Sequence, residues 1–568
     1  MSSALFEKHR SRFERAQQVC RVRDCWSPFP DMPAKYPDAA AAQPRGAAAF
    51  GAQLGRAFEL DQPGRIGQLG QECSPYTQQP LGIAYPQADI DVLFHAARHA
   101  MRGWAAASPQ HRVGVLMEAL DVLYREHLFE IQQAVMHTAG QSANMAYAGS
   151  GVNALDRGIE ALVYAAQALQ AVTPHARWER RFGAAQIVLE KSYRATPRGV
   201  AVCFACATFP TWNAWPSMLA SLATGNAVIV KPHPGSVLPM AITVRALRRV
   251  LDAAGFDPNL VTLAVDSVEA PLGKRLVQHP ATAIVDFTGS AAFGQWVERN
   301  AHPALVFTET SGCNTVVLES TDDLDAALRA LATTMCMFSA QMCTSPQNVY
   351  VPRGGVATPG GQVPFDEVSE RLAEAIDAVG NEPKKAAMIL AAIQSPSTLA
   401  LIDQMRSAAG RSGRVLLEPQ PYVHPDFANA RTSTPLLVQT STRHGELYRE
   451  ERFGPMGFVI ECEDADDALT QATNDVQRHG GLTAFLYSRD ECFISQAEAA
   501  YAQAGAQLTI NLSGPMPLNF AAAYSDYHVT GLNPAGNASL TDLAFVAGRF
   551  RITQSRRPAA PTAQEPTA

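Results

Sequence analysis

Two side chains in short polar loops have the chemistry that an acyl-enzyme mechanism needs. Cys343 lies in the segment FSAQMCTS, and Glu309 lies upstream of it in FTETSG. A thiolate can attack a carbonyl carbon, and a carboxylate can activate the water that later releases the acyl group. Each residue alone also has an ordinary structural interpretation, as a packed cysteine or an ion-paired glutamate, so the surrounding motifs must decide between the two.

Three further motifs accompany this pair: GNAVIVKP at 225–232, FTGS at 287–290 and EERFGP at 450–455. A strand, a tight glycine turn and a helix start, as FTGSAAFG predicts, present backbone N–H groups and the positive end of a helix to a pyrophosphate. Lys231 in IVKP ends a predicted buried parallel strand, which is where such sheets bind ligands. Each motif alone also fits an ordinary glycine turn or a solvated lysine, so the motifs suit a nucleotide site without requiring one.

Composition restricts the class of protein. The chain has 568 residues, of which 47% are apolar and 17% charged, so two or three globular domains are expected. A net charge of −7 gives no broad attraction to nucleic acid or to an anionic membrane. The first ten residues have no signal-peptide apolar region, and no run of about 18 apolar residues occurs. Ten scattered cysteines are expected to be reduced, which predicts a cytoplasmic enzyme.

A metal site is not expected from the sequence. The 14 histidines show no HExxH spacing. Cys203 and Cys206 form a CxxC, but it lies at an apolar strand with no second ligand pair beside it. We therefore predict no metal.

The spacing of apolar residues predicts an α/β fold. Residues 4–18 and 89–169 have helical periodicity, and Ser108-Pro109 is typical of a helix start. From Gln186 the chain alternates like a strand ribbon, and GVAVCFACATF then predicts a strand buried on both faces of a doubly wound parallel sheet. A second alternating section follows Gly312, and residues 553–568 have no periodicity and are predicted to be disordered.

Residues from about 90 to 550 resemble the aldehyde dehydrogenase superfamily in these motifs. The resemblance implies that Cys343 is the nucleophile and Glu309 the general base. It also implies that NAD or NADP is the cofactor, with these contacting residues: Lys231, His233, Gly289, Ser290, Glu451 and Phe453. A Glu at position 309 favours release of the acyl group to water, and hence a carboxylic acid product.

The resemblance also implies a domain organisation. We expect an N-terminal extension at 1–85, an NAD(P)-binding domain at 86–175 and 198–311, and a catalytic domain at 312–512. A small oligomerisation ribbon would combine 176–197 with 515–552. Because exposed strand edges are usually covered, a homodimer or homotetramer is expected.

Some positions depart from the family pattern. Thr208 stands before Phe-Pro, where the family has an oxyanion-binding asparagine, so the donor could be Thr208, Asn213 or the Cys343 backbone N–H; we favour Thr208. Ala340 replaces a glycine of the cysteine loop, and VTGLNPAGNASL replaces a Gly-Arg-Glu signature. Pro234 stands where a carboxylate often contacts the adenosine ribose. With that repulsion absent and His233 adjacent, we favour NADP over NAD.

Within the superfamily, CATFPTWNAWPS, the KPHP turn, FTETSGCN and the long lead-in most resemble the PaaN-type aldehyde dehydrogenases of phenylacetate degradation. This implies a substrate made by aromatic ring opening, namely an aldehyde that could be linked to coenzyme A. Two alternatives stay open. One is a CoA-acylating aldehyde dehydrogenase or acyl reductase, and the other is a non-catalytic binding or scaffold protein that retains the fold.

Overall fold

The computed structural model describes residues 4–514 and 516–560. Over these residues it has a parallel five-stranded sheet, a mostly parallel seven-stranded sheet and a three-stranded ribbon, with two further strand pairs. The predicted α/β fold with a doubly wound sheet is confirmed. Helices cover both large sheets, so the strands of their centres are buried.

The N-terminal segment packs against the first sheet's helices. Its elements are α1 (Ala4–Val22), α2 (Ala39–Gln53) and an antiparallel strand pair, β1 (Arg65–Leu69) with β2 (Tyr85–Ala88). Helix α1 buries one apolar stripe that includes Phe6, Phe13 and Val19. Lys8 and His9 contact Glu118 at 2.5 and 2.7 Å. The lead-in is therefore part of the folded core.

A block of helices follows: α3 (Ile90–Ala106), α4 (Pro109–Val122), α5 (Leu128–Ala139), α6 (Ala143–Tyr147) and α7 (Ala154–Gln170). Ser108 caps α4, because its hydroxyl accepts a hydrogen bond from the His111 N–H at 3.2 Å and Pro109 occupies the first helical position. The chain then forms β3 (His175–Phe182) and β4 (Ala185–Pro197), an antiparallel pair.

The five-stranded sheet is built by the next stretch of chain. Its elements are β5 (Val200–Ala205), α8 (Pro210–Ala223), β6 (Ala227–Pro232), α9 (Leu238–Ala253), β7 (Val261–Leu263), α10 (Gly273–Gln278), β8 (Thr282–Thr288), α11 (Ala291–Asn300) and β9 (Leu305–Glu309). The strand order is β7-β6-β5-β8-β9, and all neighbours are parallel. Because all strands run the same way, their carboxyl ends meet at one edge.

The seven-stranded sheet follows directly after Gly312. Its elements are β10 (Asn314–Leu318), α12 (Leu324–Cys336), β11 (Pro346–Pro352), β12 (Val356–Thr358), β13 (Gly361–Val363), α13 (Phe365–Gly380), α14 (Pro383–Ile389), α15 (Pro396–Ser412), β14 (Arg414–Leu417), β15 (Leu436–Ser441), β16 (Met456–Cys462), α16 (Ala465–His479), β17 (Thr483–Tyr487), α17 (Glu491–Ala504) and β18 (Gln507–Ile510). The order is β14-β15-β16-β11-β10-β17-β18, and β12 pairs with β13 apart from it.

The C-terminal segment corrects two predictions. The ribbon has the order β19-β4-β3, and its third strand is β19 (Phe550–Pro558), after the short helix α18 (Leu543–Ala547). Residues 516–549, which were assigned to the ribbon, are loops and α18 instead. The predicted disorder from residue 553 onward is wrong for residues 553–558. These residues belong to β19, which is almost entirely exposed and is held by main-chain pairing with β4. Residues 561–568 lie outside the described residues.

A buried ion pair ties this C-terminal segment to the first sheet. Arg549 is fully buried and donates to both carboxylate oxygens of Asp286 on β8, at 2.6 and 2.8 Å. Arg549→Met should therefore lower the free energy of unfolding by about 3–5 kcal/mol, because Asp286 would remain buried without a partner. Urea denaturation followed by circular dichroism measures this. The control is Arg557→Met, which removes the exposed pair with Glu190 and should cost less than about 1 kcal/mol; equal effects would contradict the expected role of Arg549.

Candidate active site

The candidate site lies where the two large sheets face each other. Glu309 ends β9 at the carboxyl edge of the five-stranded sheet. Cys343 precedes β11, and Glu451 precedes β16, both at the amino edge of the seven-stranded sheet. Only a short turn through Gly312 separates β9 from β10. The fold thus brings residues far apart in the sequence to one place.

Cys343 and Glu309 meet at a third residue, His528. The His528 Nε2 lies 2.9 Å from Glu309 Oε1 and 3.9 Å from the Cys343 sulfur. The imidazole nitrogen, the sulfur and one carboxylate oxygen of these three residues all lie within 4.8 Å of one another. The structure therefore places the predicted nucleophile beside the predicted base, and it adds a histidine that the sequence did not indicate.

The charges around the pair set its resting protonation. Burial would raise the pKa of Glu309, but the His528 charge and hydrogen bonds from His528 and other neighbours outweigh burial and hold that pKa below its usual range. Burial first, and then the Glu309 charge, raise the pKa of the Cys343 thiol well above its ordinary value. The thiol is therefore protonated and Glu309 ionised at rest, so that attack by Cys343 requires transfer of its proton.

The loop before Cys343 has an unusual backbone. Phe338, Ser339 and Ala340 have φ values of 50°, 49° and 49°, in the left-handed region that favours glycine. Gln341 stabilises the loop, since its side chain donates to the carbonyl oxygens of Phe338 and Ala392 at 3.1 and 3.0 Å. The substitution of glycine by Ala340 thus leaves a left-handed position without the residue that suits it, and neighbouring hydrogen bonds maintain it.

Gly312 allows Glu451 to approach the cysteine. A Cβ at Gly312 would lie 2.1 Å from the Cys343 carbonyl oxygen and 2.9 Å from Glu451 Oε1. Burial, followed by the nearby charge of Glu309, raises the pKa of Glu451 to about 7. Phe453, two residues further on, is half-buried in the same loop. Glu451 therefore lies beside the nucleophile, and its contact with the cofactor stays a prediction.

The two predicted side-chain donors for an oxyanion differ in their contacts. Asn213 donates from Nδ2 to Glu309 Oε2 at 2.8 Å, and its Oδ1 faces the Cys206 thiol at 3.7 Å. Thr208 is almost buried, and its backbone carbonyl accepts from Gln141 at 2.7 Å. Because Asn213 already binds the base, Thr208 and the Cys343 N–H stay the favoured donors, as a prediction.

Comparison with known proteins decides the family. The model of the aldehyde dehydrogenase family matches residues 67–516. The chain belongs to the aldehyde dehydrogenase family. A crystal structure of an NAD-dependent aldehyde dehydrogenase from Burkholderia multivorans is 44% identical and superimposes with a TM-score of 0.95, over 99% of this chain and 100% of that one. That superposition covers the N-terminal extension as well as the part of the chain that the family model matches.

Relatives of lower sequence identity are named as dehydrogenases of different substrates. A 1-pyrroline-5-carboxylate dehydrogenase from Halalkalibacterium halodurans is 24% identical, covering 76% of this chain and 80% of the relative. The D-glyceraldehyde dehydrogenase (NADP(+)) of Thermoplasma acidophilum is 23% identical, covering 83% and 89%. NAD or NADP is thus the cofactor consistent with the family. Within the described part of the chain, no helix is long and apolar enough to cross a membrane.

Four of the predicted cofactor residues of this aldehyde dehydrogenase lie at the carboxyl edge of the first sheet, whereas Glu451 and Phe453 precede β16 of the second. Lys231 ends β6, and its Nζ lies 2.7 Å from Asp266, which follows β7. Gly289 and Ser290 connect β8 to α11, and the Ser290 side chain makes no cap hydrogen bond. His233 is exposed, and its Nδ1 accepts from the Gly235 N–H at 3.1 Å. This arrangement fits a dinucleotide, with backbone N–H groups of α11 for the phosphates and polar side chains for the ribose.

Gly294 is needed for the packing of α11. A Cβ there would lie 2.1 Å from Thr310 Cγ2. Gly294→Ala should therefore displace α11 and weaken NAD(P) binding at least about tenfold, as measured by titration of protein fluorescence. The matched control is Gly103→Ala on α3, where a Cβ meets nothing within 4 Å. That change should leave binding intact and stabilise the helix by roughly 0.5–1 kcal/mol. Unchanged binding in Gly294→Ala would argue against phosphate contact at this helix start.

Proposed function

We propose that the chain oxidises an aldehyde to a carboxylic acid with NAD or NADP, through a thioester on Cys343. The observation that carries this proposal is the cluster of Glu309, Cys343 and His528. One side-chain oxygen, sulfur or nitrogen atom of each residue lies within 4.8 Å of the other two. A protonated nucleophile beside an ionised carboxylate is ready for proton transfer in both halves of the reaction.

In the first half, Cys343 adds to the aldehyde carbon while Glu309 accepts the thiol proton. The Cys343 backbone N–H and Thr208 bind the oxygen that becomes negative. NAD(P), when bound, supplies the hydride acceptor. Lys231, Ser290 and the N-terminus of α11 would hold the phosphates and adenosine end of the cofactor, and Glu451 and Phe453 would hold its nicotinamide end. Glu309 then releases the thiol proton to solvent and is ionised again. In the second half, Glu309 accepts a proton from water, which attacks the thioester and releases the acid.

Release to water is favoured over release to coenzyme A by the state of Glu309. Hydrolysis needs a base, whereas a thiol acceptor such as coenzyme A is itself a strong nucleophile. Glu309 is buried, and two donors orient it, from His528 and Asn213. A carboxylate fixed in this way beside the sulfur supports hydrolysis, and so the CoA-acylating alternative is the weaker one. The same cluster weakens the scaffold alternative.

For the substrate we propose a semialdehyde from aromatic ring cleavage, linked to coenzyme A, as in phenylacetate catabolism. The PaaN-like segments CATFPTWNAWPS, KPHP and FTETSGCN support this choice. Residues 516–541, which we name the mouth loop, also expose large apolar side chains: Met516, Phe520, Tyr527 and Leu532. An apolar rim suits a large acyl substrate. We also propose a cytoplasmic location, which is supported by the scattered cysteines, none of them paired in a disulfide among the described residues.

Cofactor preference and assembly are part of the proposal. We favour NADP over NAD because Pro234 has no carboxylate that would repel the 2′-phosphate of NADP. His233 adds no fixed positive charge to that argument, because its Nδ1 is an acceptor. A homodimer or homotetramer is proposed from the ribbon, whose strands β3 and β19 are largely exposed edges.

The test is a panel of aldehydes assayed with NAD and with NADP by absorbance of the reduced nicotinamide. It includes ring-derived CoA semialdehydes, and the products are analysed with and without free coenzyme A. We expect an acid product without coenzyme A and the highest kcat/KM for a CoA semialdehyde. An acyl-CoA product formed only with free coenzyme A would favour the acylating alternative, and no reduction with any aldehyde would favour the scaffold.

A further inference from the structure

His528 is the polar group at the site that neither the sequence motifs nor the mechanism above has used. It belongs to the mouth loop, and it is 4% exposed. Its position is fixed from several sides: the backbone N–H donates to Thr541 at 3.1 Å, and the ring packs edge-on against Trp212 with centroids 4.6 Å apart. A side chain held so firmly against both reacting groups has a defined orientation.

The mouth loop is itself anchored by two arginines, one buried and one half-buried. Arg157 is fully buried, lies over the Trp212 ring and donates to the backbone carbonyls of Ala521 and Asp526 at 3.2 and 2.9 Å. Arg23, at the end of α1, donates to the Tyr524 carbonyl and lies 4.0 Å from the Tyr527 ring centroid. The N-terminal extension thus supports the loop that carries His528.

The 2.9 Å separation between His528 Nε2 and Glu309 Oε1 requires a proton between them, since two bare acceptors would repel. Nε2 also faces the Cys343 sulfur at 3.9 Å. The other titratable groups nearby are Glu451, beside Gly312 and Cys343, and Cys206, which contacts Asn213. Of these groups, only Glu309 and Cys343 contact His528 Nε2 among the described hydrogen bonds.

We propose that His528 is a third catalytic residue, which donates its Nε2 proton to the Cys343 sulfur when water opens the thioester. The water oxygen bonds to the acyl carbon and one water proton goes to Glu309. The C–S bond breaks, its electron pair stays on sulfur, and the Nε2 proton of the His528 imidazolium neutralises that thiolate, which leaves a neutral imidazole. Glu309 then returns its proton to Nε2. The balance is one thioester and one water giving one carboxylic acid and one free thiol.

This proposal rests on the thioester route of the proposed function, but its test needs neither aldehyde nor cofactor. p-Nitrophenyl acetate acetylates a reactive thiol directly. Intact-mass spectrometry of the full chain then gives the lifetime of the acetyl adduct, and nitrophenolate absorbance gives the rate of its formation. The variants are His528→Gln and His528→Leu, with His95→Gln on α3 as the control, because His95 is exposed and far in sequence from the site.

His528→Gln is the decisive variant, because its amide N–H can occupy the place of Nε2–H but cannot give up a proton. We expect the adduct of both His528 variants to persist at least about 100-fold longer than in wild type, which is the usual range for loss of an acid–base group. His528→Gln should still acetylate at nearly the wild-type rate, and the pH dependence of hydrolysis should flatten. His95→Gln should match wild type.

A wild-type adduct lifetime in His528→Gln would overturn the proposal and reduce His528 to a hydrogen-bonding anchor. If His528→Leu unfolds, thermal melting shows it and His528→Gln alone decides. Failure of wild-type Cys343 to acetylate at all would instead overturn the proposed function together with this inference, so the two failures are distinguishable.

Discussion

Replacing Cys343 by alanine should abolish aldehyde oxidation, with kcat falling at least about 1,000-fold. The covalent route depends on the sulfur, and no other described thiol contacts Glu309 or His528 in a hydrogen bond. NAD(P) binding should persist, because the residues proposed to hold the phosphates and the adenosine end lie on the other sheet, and alanine at position 343 removes only the sulfur. Steady-state assays with the best aldehyde of the panel measure the first effect, and fluorescence titration measures the second.

The control for this change is Cys492→Ala, because Cys492 is exposed at the start of α17 and away from the site. It should keep full activity. Iodoacetamide gives an independent measure: alkylation of Cys343 should be slow at neutral pH and accelerate as pH rises, since burial and Glu309 raise the pKa of the thiol. Wild-type turnover by Cys343→Ala would contradict the mechanism outright.

Much of this site could be predicted because its parts are tied to strand ends. Lys231 and Ser290 lie at the carboxyl ends of predicted strands of one parallel sheet, and such ends share an edge. For Glu309 the sequence predicts only a short polar loop, and its role follows from the family resemblance. A short apolar run bounded by turn residues is visible in the sequence without knowledge of distant contacts. The nucleotide-facing half of the site was therefore accessible to local pattern analysis.

His528 could not be predicted in the same way. It reaches Glu309 across 219 residues of sequence, from a loop with no regular periodicity. The available signal was indirect, namely that VTGLNPAGNASL departs from the family signature in the segment that forms the mouth. Tertiary contacts of Trp212, Arg157 and Thr541 place the ring, and none of these follows from spacing.

The prediction for the C-terminal strand was wrong for a different physical reason. β19 exposes all but its first residue, so it has no apolar face for periodicity to reveal. Its order comes from main-chain pairing with β4, and from Arg549, whose buried bond to Asp286 anchors the chain just before the strand. For an exposed edge strand of this kind, the pattern of hydrophobic residues gives little information about whether the segment is a strand.

Replacing Glu309 by glutamine should separate the two halves of the reaction. Acylation of Cys343 can proceed without the carboxylate, because removal of the Glu309 charge lowers the pKa of the thiol and raises the thiolate fraction at a given pH. Hydrolysis loses its base, so kcat should fall by about 10²–10⁴. Stopped-flow absorbance should show a burst of about one reduced nicotinamide per site, followed by a slow phase.

Two comparisons make the Glu309→Gln result decisive. Glu374→Gln, at an exposed position of α13, should match wild type. Alkylation by iodoacetamide at mildly alkaline pH should be faster in Glu309→Gln than in wild type, which a general loss of folding would not produce. Added coenzyme A should leave the slow phase unchanged. Rapid turnover restored by coenzyme A, with an acyl-CoA product, would show that a thiol can attack the thioester. The acylating alternative would then replace hydrolysis.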